Sequence, residues 1–270
     1  MDVFNVGDSI LYCGDCHEVL SGFDRDSSTG VNVLDSIITD PPYGLSKVVR
    51  WGSFAGKRKR LHAKNRHDNN RRDKSWVSAD IYQGIDWDDS APDVTYLLDY
   101  GVPVMLFGGN YFSNLPPSRK WLVWYKGGSF KGMSFAELEL CYCSFDGNAR
   151  LITHVSEWNC GFYHTGTRGV KVHPTQKPVP VMQFCISELP KGSGSCILDP
   201  YMGSGSTGVA ALELGRRFIG IERDRRYFDI ACERLESAYR ASRNRRLLFD
   251  NFDKTLDKTL DKTLPVKTLF

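Results

Sequence analysis

The tetrapeptide Asp40-Pro41-Pro42-Tyr43 is the part of the chain best suited to chemistry. It follows an apolar run at 33–38, where a buried strand can end and a pocket can begin. The Asp40 carboxylate and the Pro41 carbonyl are acceptors for the hydrogens of an amine, and the Tyr43 ring offers a flat face to a planar base. Acceptors aimed at one NH2 group stabilise the positive charge that develops when its nitrogen is alkylated. The tetrapeptide therefore predicts a site for an exocyclic amine, although a strand followed by a Pro-Pro turn has the same local pattern.

A glycine-rich segment, residues 199–206 (DPYMGSGS), predicts a second ligand site. It joins a short apolar strand to a helix, and glycines at 203 and 205 let a ligand approach the free N–H groups of the helix start. The next strand ends at Glu222, a position from which a carboxylate binds ribose hydroxyls in βαβ units. No Gly-Lys-Ser/Thr ending follows, which argues against a phosphate-binding loop. A purely structural glycine turn is the alternative.

In this order the two motifs resemble those of beta-group DNA amino-methyltransferases, in which the Asp-Pro-Pro-Tyr half precedes the half that binds S-adenosylmethionine. Residues 11–15 (LYCGD) are similar to the family's strand and acid that meet the cofactor adenine. Residues 173–178 (HPTQKP) are similar to the segment whose following helix, 179–189, packs beside the methionine end of the cofactor. The chain departs mildly from the family pattern at Tyr201, where Phe is usual, and at Ser206, where Thr is usual. Together the matches extend over nearly the whole chain.

The resemblance implies a role for each matching residue. The implied catalytic residues are Asp40, Pro41, Pro42 and Tyr43. The implied residues of the S-adenosylmethionine site are Asp15, Thr175, Lys177, Asp199, Tyr201, Gly203, Ser204, Gly205 and Glu222.

The activity implied by the resemblance is site-specific methylation of adenine N6 in DNA, as in restriction-modification systems. Asp at position 40 is more typical of the family's adenine enzymes, whereas Ser is common there in its cytosine-N4 enzymes. The target base must flip out, because its amine is inaccessible in a stacked duplex. Cytosine-N4 methylation is the main alternative, followed by a non-catalytic DNA-binding relative and by a methylase of RNA or protein amides. Intact Asp40 and the intact glycine turn argue against a non-catalytic relative.

Seven apolar segments predict the strands that must position these motifs. They are Ile10–Cys13, Leu34–Thr39, Val104–Phe107, Trp121–Tyr125, Leu138–Phe145, Cys196–Asp199 and Phe218–Glu222. With intervening helices they predict an α/β fold with a doubly wound and mostly parallel sheet, and the resemblance implies one methyltransferase domain over 1–242 with circularly permuted motif order. The resemblance implies that the strand from Leu138 runs antiparallel. Because open α/β sheets bind ligands at the carboxyl ends of their strands, Asp40 and Gly203 are expected to flank one reaction centre.

The segment 47–74, directly after the tetrapeptide, is strongly basic. It holds eleven Lys or Arg residues against two Asp, a balance of +9 in a chain of net charge +3. It is poor in apolar residues and lacks helical or strand periodicity, which predicts a mobile loop. At the mouth of a base-accepting pocket, Lys57, Arg58, Lys59 and Arg60 are placed to neutralise DNA phosphates. A solvated charged surface is the alternative.

The segment 146–172 lies where the resemblance implies target recognition. Arg150 and Arg168 are its candidates for contacts with DNA base edges. Its histidines are expected to be surface or satisfied residues, since methyl transfer from a sulfonium to an amine needs no strong base in the family mechanism.

The remaining composition predicts a cytoplasmic protein, and the resemblance implies a bacterial or phage-infected cell. A chain of 270 residues with 41% hydrophobic composition suffices for one large core. The amino terminus shows no secretory signal, and Pro and Gly interrupt the uncharged stretch 101–118, so we expect no membrane partner. Eight cysteines lack a complete set of ligand pairs, so we expect no metal and reduced core thiols. A homodimer and a cognate restriction enzyme remain open.

The carboxyl-terminal residues 243–270 differ in character from the rest. The tetrapeptide Asp-Lys-Thr-Leu occurs three times in succession from residue 253. A four-residue period drifts around a helix of 3.6 residues per turn, and threonine is a poor helix former, which predicts a weakly structured or disordered low-complexity tail. A small amphipathic contact with a partner is the alternative.

Overall fold

The computed structural model describes residues 1–23, 34–45, 88–127, 136–154 and 172–263, with side chains up to residue 248. The described residues form one sheet of nine strands. The strands are β1 (Asp2–Val6), β2 (Ser9–Cys13), β3 (Ser36–Thr39), β4 (Val104–Phe107), β5 (Trp121–Tyr125), β6 (Leu138–Cys143), β7 (Arg150–Thr153), β8 (Cys196–Asp199) and β9 (Arg217–Glu222). Their order across the sheet is β1-β2-β9-β8-β3-β4-β6-β5-β7.

The sheet is mostly parallel, as the sequence predicted. Strands β2, β9, β8, β3 and β4 pair in parallel, and β7 pairs in parallel with β5. Strand β6 is antiparallel to both β4 and β5, which confirms the expected reversal at Leu138. All seven predicted strands are present with small shifts at their ends.

The sequence analysis missed strands β1 and β7, which are the outermost strands at the two edges of the sheet. Each bonds to one neighbour, and most of their side chains are partly or fully exposed. An edge strand needs no continuous apolar run, because only part of it contacts the core. Their sequences therefore carry little of the signal that marks the central strands.

Helices cover both faces of the sheet. Helices α2 (Val179–Ser187), α3 (Ser206–Glu213) and α4 (Arg225–Thr263) pack on one face, and α1 (Cys16–Ser21) and a 3-10 helix (Thr95–Tyr100) pack on the other. Successive strand side chains point to opposite faces, so Ile38 joins the first core layer and Ile37 the second. This is the doubly wound arrangement expected from the sequence.

The polar residues of both motifs lie together at the carboxyl ends of the central strands. Asp15 follows β2, Asp40 follows β3, Asp199 ends β8 and Glu222 ends β9. Because these four strands are parallel, their carboxyl ends lie at the same edge. The fold thus brings together residues that are far apart in the sequence.

The long carboxyl-terminal helix corrects the expectation for residues 243–270. Helix α4 continues without a break from Arg225 to Thr263, where a weakly structured tail was expected. Its first turns pack into the core through Phe228, Ala231 and Leu235. Extending an established helix avoids the unfavourable nucleation step, so poor helix formers are tolerated in its continuation. Residues 264–270 lie outside the described residues.

Two predicted DNA-binding segments also lie outside the described residues. They are the basic segment 47–74, with Lys57, Arg58, Lys59 and Arg60, and the stretch 155–171, with Arg168. Their roles stay predictions.

The cysteines behave as expected of core thiols. The seven that the structure describes are free, and all of them except Cys13 are buried. Among the described helices, none combines the length and the apolar character that crossing a bilayer requires.

Candidate active site

A cavity of about 640 Å³ is lined by residues from both sequence motifs. This volume is typical of pockets that bind small molecules. The predicted site residues that line it are Asp15, Asp40, Pro42, Thr175, Lys177, Asp199, Tyr201, Gly203, Ser204 and Glu222. Pro41, Tyr43 and Gly205 are not among the lining residues. The expectation that Asp40 and Gly203 flank one centre agrees with this arrangement.

Asp40 is held by a different partner on each carboxylate oxygen. Tyr43 donates its hydroxyl hydrogen to Oδ1, and the Lys177 ammonium donates to Oδ2. Each carboxylate oxygen has two lone pairs, so Asp40 keeps acceptor capacity for a further donor in the cavity. The plane of the carboxylate is fixed before any ligand arrives.

The Tyr43 ring is packed against aromatic neighbours. It stacks on Tyr111, with ring centroids 4.9 Å apart and planes 23° apart, and Phe112 contacts it edge-on. Gly108 leaves room for the ring, because a Cβ there would lie 2.2 Å from a Tyr43 ring carbon. Since Tyr111 covers one face of Tyr43, a base that used this face would have to displace the half-exposed Tyr111 ring. The stacking role of Tyr43 stays a prediction.

Asp88 is a site residue that the sequence analysis missed. Its buried carboxylate accepts hydrogen bonds from the backbone N–H groups of Tyr43, Gly44 and Leu45 at 2.7, 2.8 and 3.2 Å. Three charge-assisted bonds of this kind fix the backbone at the last residue of the tetrapeptide and at the two residues that follow it. Its local sequence offers no spacing that distinguishes it from the neighbouring acidic residues.

A chain of four alternating charges extends from Asp40 into the protein. Lys177 Nζ contacts Asp40 and lies 3.0 Å from Glu139 Oε2, and Lys126 Nζ lies 2.6 Å from Glu139 Oε1. Burial raises the pKa of Asp40 above its ordinary value, and Lys177 opposes that shift. Burial acts in the same direction on Glu139, but Lys177 and Lys126 outweigh it and lower its pKa to about 2. The resemblance implied a cofactor contact for Lys177, whereas its ammonium is engaged with two carboxylates.

Glu222 lines the cavity with both carboxylate oxygens bound to backbone N–H groups. Its two oxygens accept hydrogen bonds from the backbone N–H groups of Gly203, at 3.0 Å, and Asp224, at 2.7 Å. Burial raises its pKa to about 7, against the opposing effect of these two bonds. Gly203 has a left-handed φ of 52°, and a Cβ there would lie 3.3 Å from His173 Nε2. The carboxylate and the glycine turn therefore form one tight cradle.

Asp199 and Asp15 serve the local fold in this structure. Thr39 and Thr207 donate to the two oxygens of Asp199 at 2.7 and 2.6 Å, and burial raises the pKa of Asp199 to about 6. Asp15 caps the start of α1 by accepting from the N–H groups of His17 and Glu18. Both carboxylates line the cavity, and their cofactor contacts stay predictions.

Gly205 is required for packing, which differs from the sequence interpretation. Its φ is 78°, and a Cβ there would lie 2.7 Å from Leu235 Cδ1 and 3.1 Å from Ala231 Cβ, both in α4. Arg234, on the same helix, donates hydrogen bonds to Ser204 and Ser206 on either side of the glycine. The turn is therefore held against α4, and Gly205 faces that helix. Sequence alone did not indicate Arg234.

Valine at position 205 will lower the thermal stability of the protein. Left-handed backbone strain and overpacking against Leu235 together cost roughly 2–5 kcal/mol, which lowers the unfolding midpoint by about 5–15 °C. Gly192→Val is a matched control, because Gly192 has a φ of 86° but no atom within 4 Å of its Cβ position. Differential scanning calorimetry should show a clearly smaller decrease for the control. Equal decreases would mean that the contact with Leu235 is unimportant.

Arg150 lies away from the cavity. Arg150 is the first residue of β7, so it lies at the amino end of that strand. Strand β7 runs parallel to β5, and the cavity lies at the carboxyl ends of the strands, on the opposite side. Its Nε is 3.3 Å from Glu188 Oε1, just after α2. The structure thus separates Arg150 from Asp40, because strand direction decides which end of β7 faces the site.

The sequence is similar to known DNA methylases. A family model described as a DNA methylase matches residues 53–233, more than half of the chain. The Type II methyltransferase M2.DpnII of Streptococcus pneumoniae is 52% identical over 65 residues, which are 24% of this chain and 24% of that protein. The Type II methyltransferase M.HinfI of Haemophilus influenzae is 32% identical over 133 residues, which are 49% of this chain and 36% of that protein. The chain thus spans well under two thirds of the length of either curated relative.

A solved structure also aligns with most of the chain. The crystal structure of the M1.HpyAVI–SAM complex aligns with 83% of this chain and 98% of that chain, at 19% identity and a TM-score of 0.43.

Proposed function

This chain belongs to the N6/N4 DNA methylase family, and from that premise we propose that it methylates the exocyclic N6 of adenine in DNA. The methyl donor is S-adenosylmethionine. One observation carries the proposal: a single cavity is lined by Asp40, which can accept from an amine, and by Glu222, which can accept from ribose hydroxyls.

The residues around the cavity fit the cofactor. Glu222 is the last residue of β9, the position from which a carboxylate binds ribose hydroxyls. It lies beside the glycine turn, where a side chain at Gly203 would fill the space next to His173. Asp15 and Tyr201 extend the lining, and we propose that they contact the adenosine part. When bound, the cofactor supplies an electrophilic methyl group on a sulfonium.

Asp40 acts on the target amine in the proposed reaction. Its carboxylate accepts a hydrogen bond from the NH2 group and stabilises the positive charge that develops on nitrogen. With the cofactor held by Glu222 and the glycine turn, the nitrogen lone pair would take up the donated methyl group, the departing thioether would keep the electron pair of the broken bond, and the amine would release one proton to water. The Pro41 carbonyl is the proposed second acceptor, and Tyr43 and Pro42 complete the contact with the base.

DNA must present the base outside its stack for this chemistry. We propose that the cations Lys57, Arg58, Lys59 and Arg60 neutralise phosphates and that Arg168 belongs to the segment that reads the sequence. The proposed location is the cytoplasm, where the DNA of a bacterial or phage-infected cell is accessible, and the proposed domain is residues 1–242.

Adenine is proposed over cytosine because Asp stands at position 40, where the resembling cytosine-N4 enzymes commonly carry Ser. Expression in a host that lacks DNA methylation should yield N6-methyladenine at one short sequence, detected by nucleoside mass spectrometry and by sequencing that maps modified bases. N4-methylcytosine in place of N6-methyladenine would overturn the base assignment and keep the reaction class. The same host carrying an empty vector is the negative control, and methylation in that strain would come from the host.

A further inference from the structure

Lys177 is more deeply buried than is usual for a lysine. Its side chain is 7% exposed, and its Nζ contacts Asp40 on one side and lies 3.0 Å from Glu139 Oε2 on the other. Glu139 belongs to β6, and Asp40 directly follows β3. The lysine therefore connects the catalytic tetrapeptide to a neighbouring part of the sheet.

The cluster of Asp40, Lys177, Glu139 and Lys126 is electrically balanced. Two carboxylates alternate with two ammonium groups, and each side chain is no more than 21% exposed. Buried charges need paired and well-oriented partners, because their desolvation is costly. Removing one member leaves its neighbours uncompensated, so the orientation of Asp40 depends on the rest of the cluster.

The Lys177 ammonium is aligned with Asp40 more than with Glu139. It forms a hydrogen bond to Asp40 Oδ2, whereas Glu139 Oε2 is within ion-pair distance of Nζ but has no aligned hydrogen-bond donor among the described residues. The Phe107 ring, 5.0 Å from Nζ, further confines the lysine. These contacts hold the lysine end in one place.

We propose that Lys177 is a positioning residue for methyl transfer: it holds Asp40 Oδ2 so that the remaining carboxylate lone pairs are presented to the target amine. Glu139 and Lys126 keep Lys177 in this position. This inference rests on the proposed function and deepens it. In place of the cofactor contact that the resemblance implied, it gives Lys177 the role of orienting the carboxylate that binds the target amine. Tyr43, on Oδ1, completes the orientation.

The test compares Lys177→Met and Lys177→Arg with the double variant Lys177→Met/Glu139→Gln. The double variant removes one cation and one anion together, so it keeps the buried cluster balanced if the single variant does not fold. Lys120→Met is a matched control, because Lys120 is also a buried lysine paired with a carboxylate, Glu188, but does not line the cavity. Folding is checked by thermal unfolding, S-adenosylmethionine binding by calorimetry, and kcat at saturating cofactor from pH 5 to 9.

Loss of Lys177 should lower kcat about tenfold or more at neutral pH and leave the cofactor Kd within about threefold. Within the described part of the chain, the charged and titratable groups around Asp40 are Lys177, Tyr43, Glu139 and Asp199. Of these, Lys177 favours the ionised form most strongly, so its removal raises the pKa of Asp40 and moves the acid limb of the pH profile to higher pH. Arginine at 177 should recover part of both effects, and Lys120→Met should change neither.

A second readout does not depend on activity. With 13C-labelled aspartate, NMR titration of the protein without DNA should show a higher pKa for Asp40 in Lys177→Met and in the double variant than in the wild type. Unchanged titration together with an unchanged pH profile overturns the inference. A loss of cofactor affinity with normal kcat at saturation also overturns it, in favour of a cofactor contact. If the wild type is inactive while the Asp40 pKa is still higher in the variants than in the wild type, the result contradicts the proposed function instead.

Discussion

Alanine at position 40 will lower the rate of methyl transfer by at least about 10²–10³ and leave the affinity for S-adenosylmethionine within a few-fold of the wild-type value. The Asp40 carboxylate is expected to act on the target amine, and removing one preorganised electrostatic contact from a reaction centre costs about 10²–10³ in rate. Glu222 and the glycine turn form the other part of the cavity and keep their contacts. Single-turnover transfer of a labelled methyl group to DNA measures the first effect, and calorimetry measures the second.

Asp40→Asn is the matched control for this prediction. The amide keeps the size of the side chain and an acceptor for Lys177 or for the amine, but it loses the negative charge. We expect Asp40→Asn to be strongly impaired and to bind the cofactor normally. Full activity in Asp40→Ala would remove Asp40 from the chemistry and direct attention to another acceptor in the cavity.

Alanine at position 222 will weaken S-adenosylmethionine binding by an order of magnitude or more. Hydrogen bonds from ribose hydroxyls to a carboxylate are charge-assisted, and such bonds contribute roughly 1.5–3 kcal/mol. Calorimetric titration measures the loss, and thermal unfolding shows whether the fold persists. Glu222→Gln should lose less affinity, because the amide keeps one acceptor oxygen.

The same carboxylate should make cofactor binding dependent on pH. Burial raises the pKa of Glu222 to about 7, so the group is protonated in part of the population at neutral pH. The ionised form is the better acceptor, so the wild-type affinity should increase as the pH rises from 6 to 8. Glu222→Ala should lack this increase. An equally steep pH dependence in Glu222→Ala would show that another group is responsible.

The sequence was sufficient to predict the central strands and the two motifs. Buried parallel strands such as Val104–Phe107 and Cys196–Asp199 are continuous apolar runs, because both of their faces are covered, and their observed ends match the predicted ones. The two motifs each follow such a strand, so the carboxyl edge of the sheet was their expected position. These features are local, and a local sequence pattern determines them.

Long-range packing decided the rest of the site. Asp88 accepts a hydrogen bond from the backbone of Tyr43, 45 residues away in the sequence. Lys177 contacts Asp40 and Glu139, which belong to two other parts of the chain. Such contacts depend on how the elements are brought together, and no spacing along the chain encodes them. Strand direction placed Arg150 at the far edge, and the contact with α4 explains why position 205 is glycine. The sequence thus determined which residues are proposed to carry the chemistry, whereas the tertiary structure decided which side chains orient them, because orientation requires partners on different strands and helices.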